Sequence, residues 1–537
     1  PRGGITDEDR RWWAFQPVRA SAPPRVADDP WSRNPVDRFL HERMSRHGLE
    51  PSPPAGPEAF LRRVTLDLTG LPPTPEEVAA FTAAAARDRD RATEALVDRL
   101  LASPYYGERW ARVWLDLVRY AESDGYRVDD YRPNVWRYRD WVIRALNEDM
   151  PYDGFVTAQV AGDEVWPDDP ERARVATTFL RHWIYEYNNR DVRGQWQTIL
   201  NDLTDVTGDL FLGLGIQCAR CHDHKFDPIP QRDYFRLQAF FAPLLPREDL
   251  VVATASEQAQ HAVQMDAWRD GAGEALRELE RFEAPVRKRA AASATAKFPE
   301  DIQRILGMPA SDRTLLERQL AALAQRQIAY EWARLPTHLK KEEKEAHETL
   351  QRQVRSAAMQ RPDPLPSAFT VTDLGPEAPP VFLPKSRDGE PVAPGFLSVL
   401  DPVPATILPS PQAPGSTGRR AALARWLVSP ENPLTARVLV NRVWQQHFGR
   451  GLTANASDFG RLGELPTHPE LLDWLTARFI AEGWSLKRLH RWILTSAAYA
   501  QAAGGGSSAT LDPENRWLAR FPHAVWRRRS SGTCSLR

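Results

Sequence analysis

Helix-start signals set the strongest limit on what this chain can fold into. Thr74-Pro75-Glu76-Glu77 places a capping hydroxyl, a proline at the first helical position and a carboxylate at the third. Thr467-His468-Pro469-Glu470 repeats the pattern and leads into Leu472, Leu475 and Phe479 on one face. Trp110, Val113, Trp114 and Leu117 form one stripe over 106–120, with Arg109, Arg112, Asp116 and Arg119 opposite. Segment 195–206 turns Trp196, Ile199, Leu200 and Leu203 inward. The spacing predicts a mainly α, multidomain protein with a small β-rich segment between two helical halves.

At 537 residues the chain exceeds one compact core. An extended lead-in is expected over 1–55, a helical domain over 56–250, and a charged hairpin or coiled-coil insertion over 251–361, interrupted by Pro309 and Pro336. Residues 362–415 read as proline-rich loop and β structure, 416–500 as a C-terminal helical domain, and 501–537 as a flexible, truncated tail. Pro1 is not an initiator, so a signal peptide is expected upstream.

The balance of 70 basic against 71 acidic residues gives no nucleic-acid footprint, and no apolar run is long enough for a transmembrane segment. The 19 tryptophans suit either helical seams or sugar stacking. Cysteine occurs only at 218, 221 and 534, too few for a disulfide framework. No function is assigned to Cys534.

Two of those cysteines carry the sharpest motif, Cys218-Ala219-Arg220-Cys221-His222. CxxCH is the attachment signature of haem c: two thiols on a helical turn add to the two vinyl groups, and the following histidine lies beneath the iron. Zinc is an alternative cofactor, held by the cysteines with His222 and His224. A redox-active pair and a pair without cofactor also remain open. His224 or Asp227 is placed to orient the site. A distal ligand would come from Met265, Met308, Met359, His182, His447 or His468, or the sixth position is open.

Carboxylates could add acid–base chemistry. Asp116, Glu122 and Asp124 form one group; Asp202, Asp205 and Asp209 precede the motif and could also hold calcium, although without EF-hand spacing. His447, Asp458 and His468 form a candidate second site near helix ends. Each set could instead cap helices or pair with arginines.

The phrase Phe211-Leu-Gly-Leu-Gly-Ile-Gln-Cys-Ala-Arg-Cys-His-Asp-His-Lys-Phe-Asp-Pro228 resembles the core of the planctomycete cytochrome-c-like domain family, a domain of unknown function found in large secreted proteins. Asp67-Leu-Thr-Gly-Leu-Pro-Pro-Thr-Pro-Glu-Glu77 and Tyr106-Gly-Glu-Arg-Trp110 are similar to the same domain. Asn432-Pro-Leu-Thr-Ala-Arg437, His447-Phe-Gly-Arg-Gly-Leu452, Ser457-Asp-Phe-Gly460 and Pro466-Thr-His-Pro-Glu470 resemble its usual C-terminal partner. The likeness covers about residues 12–245 and 365–500. It implies a periplasmic or secreted location and an association with polysaccharide degradation.

Two function classes follow. One is an exported c-type haem protein passing electrons to an unknown redox partner protein, or a haem-dependent oxidoreductase. The other is a carbohydrate-binding or scaffolding protein, with a glycan partner, whose CxxCH motif is structural or binds zinc.

Overall fold

Proline at the first helical position opens helix after helix: Pro35–Arg46, Pro57–Thr69, Pro75–Ala85, Pro104–Leu117 and Pro469–Ala481. Its missing N–H costs nothing there, and its φ is already helical. The computed structural model describes residues 4–358, 361–384, 389–504 and 508–522. Met359, Cys534 and the tail from 523 lie outside them. The described residues are mainly α-helical, and none of their helices is long and apolar enough to cross a membrane.

The Thr74 capping box forms as expected, with Thr74 Oγ1 accepting from the Glu77 amide. Three other expectations need correction. The lead-in contains the helix Pro35–Arg46, begun by a capping box between Asn34 and Asp37. Asn34-Pro35-Val36-Asp37 is a legible start signal that proline-rich surroundings masked. Thr467 is not a cap: residue 468 holds that position, and the Thr467 hydroxyl bonds the Leu452 carbonyl at 3.3 Å.

The charged insertion is no simple hairpin. It comprises Ala255–Thr295, Glu300–Gly307, Leu315–Ala333 and Lys341–Ala358, with Pro285 inside the first. Leu315–Ala333 docks on the preceding domain, where Gln319 Nε2 donates to the carbonyls of Ala242 and Leu244, both at 2.7 Å.

The proline-rich segment contributes little sheet. Thr370–Asp373 pairs antiparallel with Leu244–Arg247, in a register that sets Leu244 opposite Asp373 and Arg247 opposite Thr370. The other described residues of 362–415 lie outside named strands. One apolar core runs from Ala14 to Phe521 and draws on both helical halves.

A buried charge joins those halves. Arg420, with no exposed surface, meets Asp163 at 2.6 Å, Asp373 at 3.0 Å and Glu164 at 3.3 Å. Asp373 also accepts from Ser416 Oγ, Thr417 Oγ1 and the Thr417 amide. The helices Tyr152–Val165 and Arg419–Leu427 and the strand Thr370–Asp373 therefore converge on one guanidinium. Burial, outweighing the attraction of Arg420, raises the Glu164 pKa to about 7. Removing the cation would leave buried carboxylates uncompensated. Arg420→Ala is expected to lose about 3–5 kcal/mol in urea unfolding, far more than an exposed arginine would.

Candidate functional site

The CxxCH segment is a short 3-10 turn, Ile216–Arg220, closed by the Cys221 amide donating to the Cys218 carbonyl at 3.3 Å. In such a turn residues three apart eclipse one another. Ile216 and Ala219 point into the core, while Cys218 and Cys221 share the opposite, exposed side. Burial on one face thus presents both thiols on the other.

The turn is held on both flanks. Arg220, between the cysteines, pairs with Asp205 of the helix Val192–Thr207. The Arg220 carbonyl accepts from Gln231 Nε2 at 3.0 Å, and Asp223 Oδ1 accepts from the Gln231 amide at 2.8 Å. His222 is exposed, and its Nδ1 donates to the Asp223 carbonyl at 2.7 Å. A carbonyl can only accept, so the proton sits on Nδ1 and the Nε2 lone pair is available to a metal.

That donor set fits a covalently attached haem: two accessible thiols one turn apart, followed by an oriented imidazole. A preformed four-ligand zinc site fits less well. His224 is buried, accepts from the Asp227 amide through Nδ1 at 2.9 Å and faces the Asp227 carboxylate at 3.2 Å. Among the described residues no three His, Cys, Asp or Glu side chains converge as a metal-holding group.

His224 and Asp227 bind the motif to the C-terminal half. Asp227 Oδ1 accepts from the Arg461 amide at 2.7 Å, and a Cβ on Gly460 would lie 2.6 Å from the Asp227 carboxylate. Asp458 stands nearby. Its pKa is raised by burial and by Asp227, against the opposing pull of its bond from the Gly460 amide and of His224. Upstream, Gly213 has φ +59° and accepts from the Phe459 amide at 2.7 Å; a side chain there would strike Val438 at 2.9 Å. The lead-in closes this seam, with Trp12 Nε1 donating to the Phe459 carbonyl at 2.8 Å and Arg461 meeting Asp9 at 2.8 Å.

The other expected carboxylates have structural partners. Asp202 pairs with Arg119, and Asp205 also accepts from Tyr234 Oη at 2.9 Å. Asp209 accepts from Gln217 at 2.9 Å, and burial raises its pKa to about 6. Asp124 is buried between Arg132 at 2.7 Å and Arg326 at 3.0 Å, while Glu122 pairs with Arg139.

His447, Asp458 and His468 have separate surroundings. Asp458 adjoins Asp227, whereas His468 is buried beside Trp517 and bonds Thr467 Oγ1 at 2.9 Å. His447 belongs to a network that spacing in the sequence did not reveal. Its Nδ1 faces Asp67 at 3.4 Å, its Nε2 meets His490 Nδ1 at 2.9 Å, and Tyr499 Oη donates to Asp67 at 2.6 Å. These residues lie on helices distant along the chain, so only packing unites them. His182 is buried with Nδ1 on the Val118 carbonyl at 3.0 Å.

Residues 35–245 match a family model described as PSCyt2, a protein of unknown function (DUF1549), and residues 419–529 match one described as PSD1, a protein of unknown function (DUF1553). The chain is thus similar to two domains of unknown function that bracket the insertion. Neither the curated proteins nor the solved structures contain a match.

Two outcomes are expected. Gly460→Ala drives a methyl group against Asp227, which His224 and Arg461 hold in place, and should cost about 1–3 kcal/mol in chemical denaturation. Burial lowers the His468 pKa to about 3, against about 6.5 when unfolded. The unfolded chain binds the extra proton between those values, so this group's contribution is present above pH 6.5 and is lost as pH falls towards 3. Unfolding of His468→Asn, followed from pH 6.5 to 5, should be less steep in pH than wild type by about 1 kcal/mol per unit.

Proposed function

We propose that this chain is an exported c-type haem protein serving electron transfer or redox chemistry, with Cys218 and Cys221 as covalent tethers and His222 as axial ligand. One observation carries the reading: two exposed cysteines, one 3-10 turn apart, are followed directly by an imidazole whose Nδ1 is fixed and whose Nε2 is free. Haem attached there would supply an iron that cycles between the ferric and ferrous states.

The chain's own part is positional. Ile216 and Ala219 anchor the turn, the Asp205–Arg220 pair steadies its middle, and the Asp223 carbonyl sets the imidazole. His182, His447 and His468 are buried among their own partners. Covalent haem attachment proceeds outside the reducing cytoplasm, so the reading includes a periplasmic or secreted location. The link to polysaccharide breakdown rests on resemblance alone.

The test is a haem stain of denatured protein, produced by export in a host with cytochrome c maturation. The expected result is colour that survives denaturation and vanishes in Cys218→Ala/Cys221→Ala. Absence of colour, or stoichiometric zinc in its place, would overturn the haem reading.

A further inference from the structure

Away from the CxxCH turn, a cavity of about 830 Å³ opens where three stretches of chain meet: the lead-in around Trp31, the helix Arg89–Leu101, and the C-terminal segment around Trp492. None of its lining residues belongs to the haem motif. The volume is in the range of small-molecule sites, and seams between domains are common places for them.

Both indoles are held by groups outside the cavity. Trp31 packs edge-on against His41 at 5.4 Å, and its amide donates to Asp29, which also holds His41 at 2.9 Å. Trp492 donates its Nε1 proton to Glu482 at 3.1 Å and meets Trp474 edge-on at 5.5 Å. Two large apolar plates are therefore placed before any ligand arrives, which removes an ordering cost from binding.

The polar lining is incomplete in one respect. Thr93 is 3% exposed, and its hydroxyl has no hydrogen-bond partner. Buried hydroxyls are ordinarily satisfied, and each one left alone costs about 1–3 kcal/mol. The Thr93 hydroxyl on this cavity wall indicates that something else supplies its partner.

The charges restrict what that is. Arg33 is paired with Asp90 at 3.1 Å, and Arg491 with Glu94 at 3.0 Å and Asp98 at 2.9 Å. With both cations already neutralised, a phosphate or other anion gains little attraction, and a cation gains no more. An apolar ligand would leave the Thr93 hydroxyl and the ion-pair edges unsatisfied. A neutral polyhydroxylated ligand meets every condition: its C–H faces lie on indole, and its hydroxyls both donate and accept. We infer that this cavity is a binding site for a neutral saccharide.

Native electrophoresis of the full chain through gels containing xylan, mixed-linkage β-glucan, galactomannan or pullulan tests this, with dextran sulfate as the charged control. Retardation by at least one neutral polymer is expected, and Trp492→Ala should abolish it. Thr93→Val removes only an unpartnered oxygen, so it should fold with an unchanged or higher unfolding midpoint yet bind about tenfold more weakly. The Cys218→Ala/Cys221→Ala variant should be retarded like wild type, which separates this site from the haem reading. No retardation by any neutral polymer, retardation by dextran sulfate alone, or full binding by Thr93→Val would overturn the inference.

Discussion

A single buried guanidinium, that of Arg420, decides how the two halves of this protein sit together. A cation without exposed surface is tolerable only if carboxylates surround it, and the three around Arg420 come from Tyr152–Val165 and from the strand ending at Asp373. The strand lies between the insertion and the C-terminal half, while its partner Leu244–Arg247 closes the first half. Charge balance therefore acts where the long insertion leaves and rejoins the core. Apolar packing could hold these helices at many angles; a multidentate ion cluster permits few.

Smaller contacts of the same kind follow the seam. Asp37 accepts from the amides of Ala497 and Ala498, at 2.9 and 3.0 Å, so the first long helix grips the last helical turns. Arg442 donates to the carbonyls of Asp209 and Leu210, just before the CxxCH turn. Asp67, His447, His490 and Tyr499 add a network with members from both halves. The CxxCH turn thus stands on a surface that neither half makes alone. Asp227, five residues beyond His222 and bonded to His224, reaches the turn around Phe459. Its service to the motif is to hold the loop against the other domain.

Legibility in the sequence followed the range of the interaction. Caps, proline starts and apolar stripes act within a few residues, and the helices over Pro75–Ala85, Pro104–Leu117 and Val192–Thr207 were readable from them. The same local rules misplace a boundary when a neighbour competes: the Thr467 hydroxyl turns to the Leu452 carbonyl, and residue 468 becomes the cap. Pro35–Arg46 was legible in its Asn34-to-Asp37 box and was obscured by surrounding proline. In the insertion, composition announced helix but not the number of segments, because the chain direction there depends on where Leu315–Ala333 docks.

The sequence by itself determined the mainly helical class and the CxxCH spacing of Cys218, Cys221 and His222, on which the haem proposal rests, since these depend on neighbours in the chain. Only the tertiary structure decided which side of the turn carries the thiols, because burial of Ile216 and Ala219 selects it. It alone assembled the His447–His490 pair and the cavity between Trp31 and Trp492, and it assigned the acidic residues near the motif to arginine, tyrosine and glutamine partners. Apart from Asp209 with Gln217, those groupings join residues separated by more than ten positions. No periodicity or spacing rule reaches that far; packing of the two halves does.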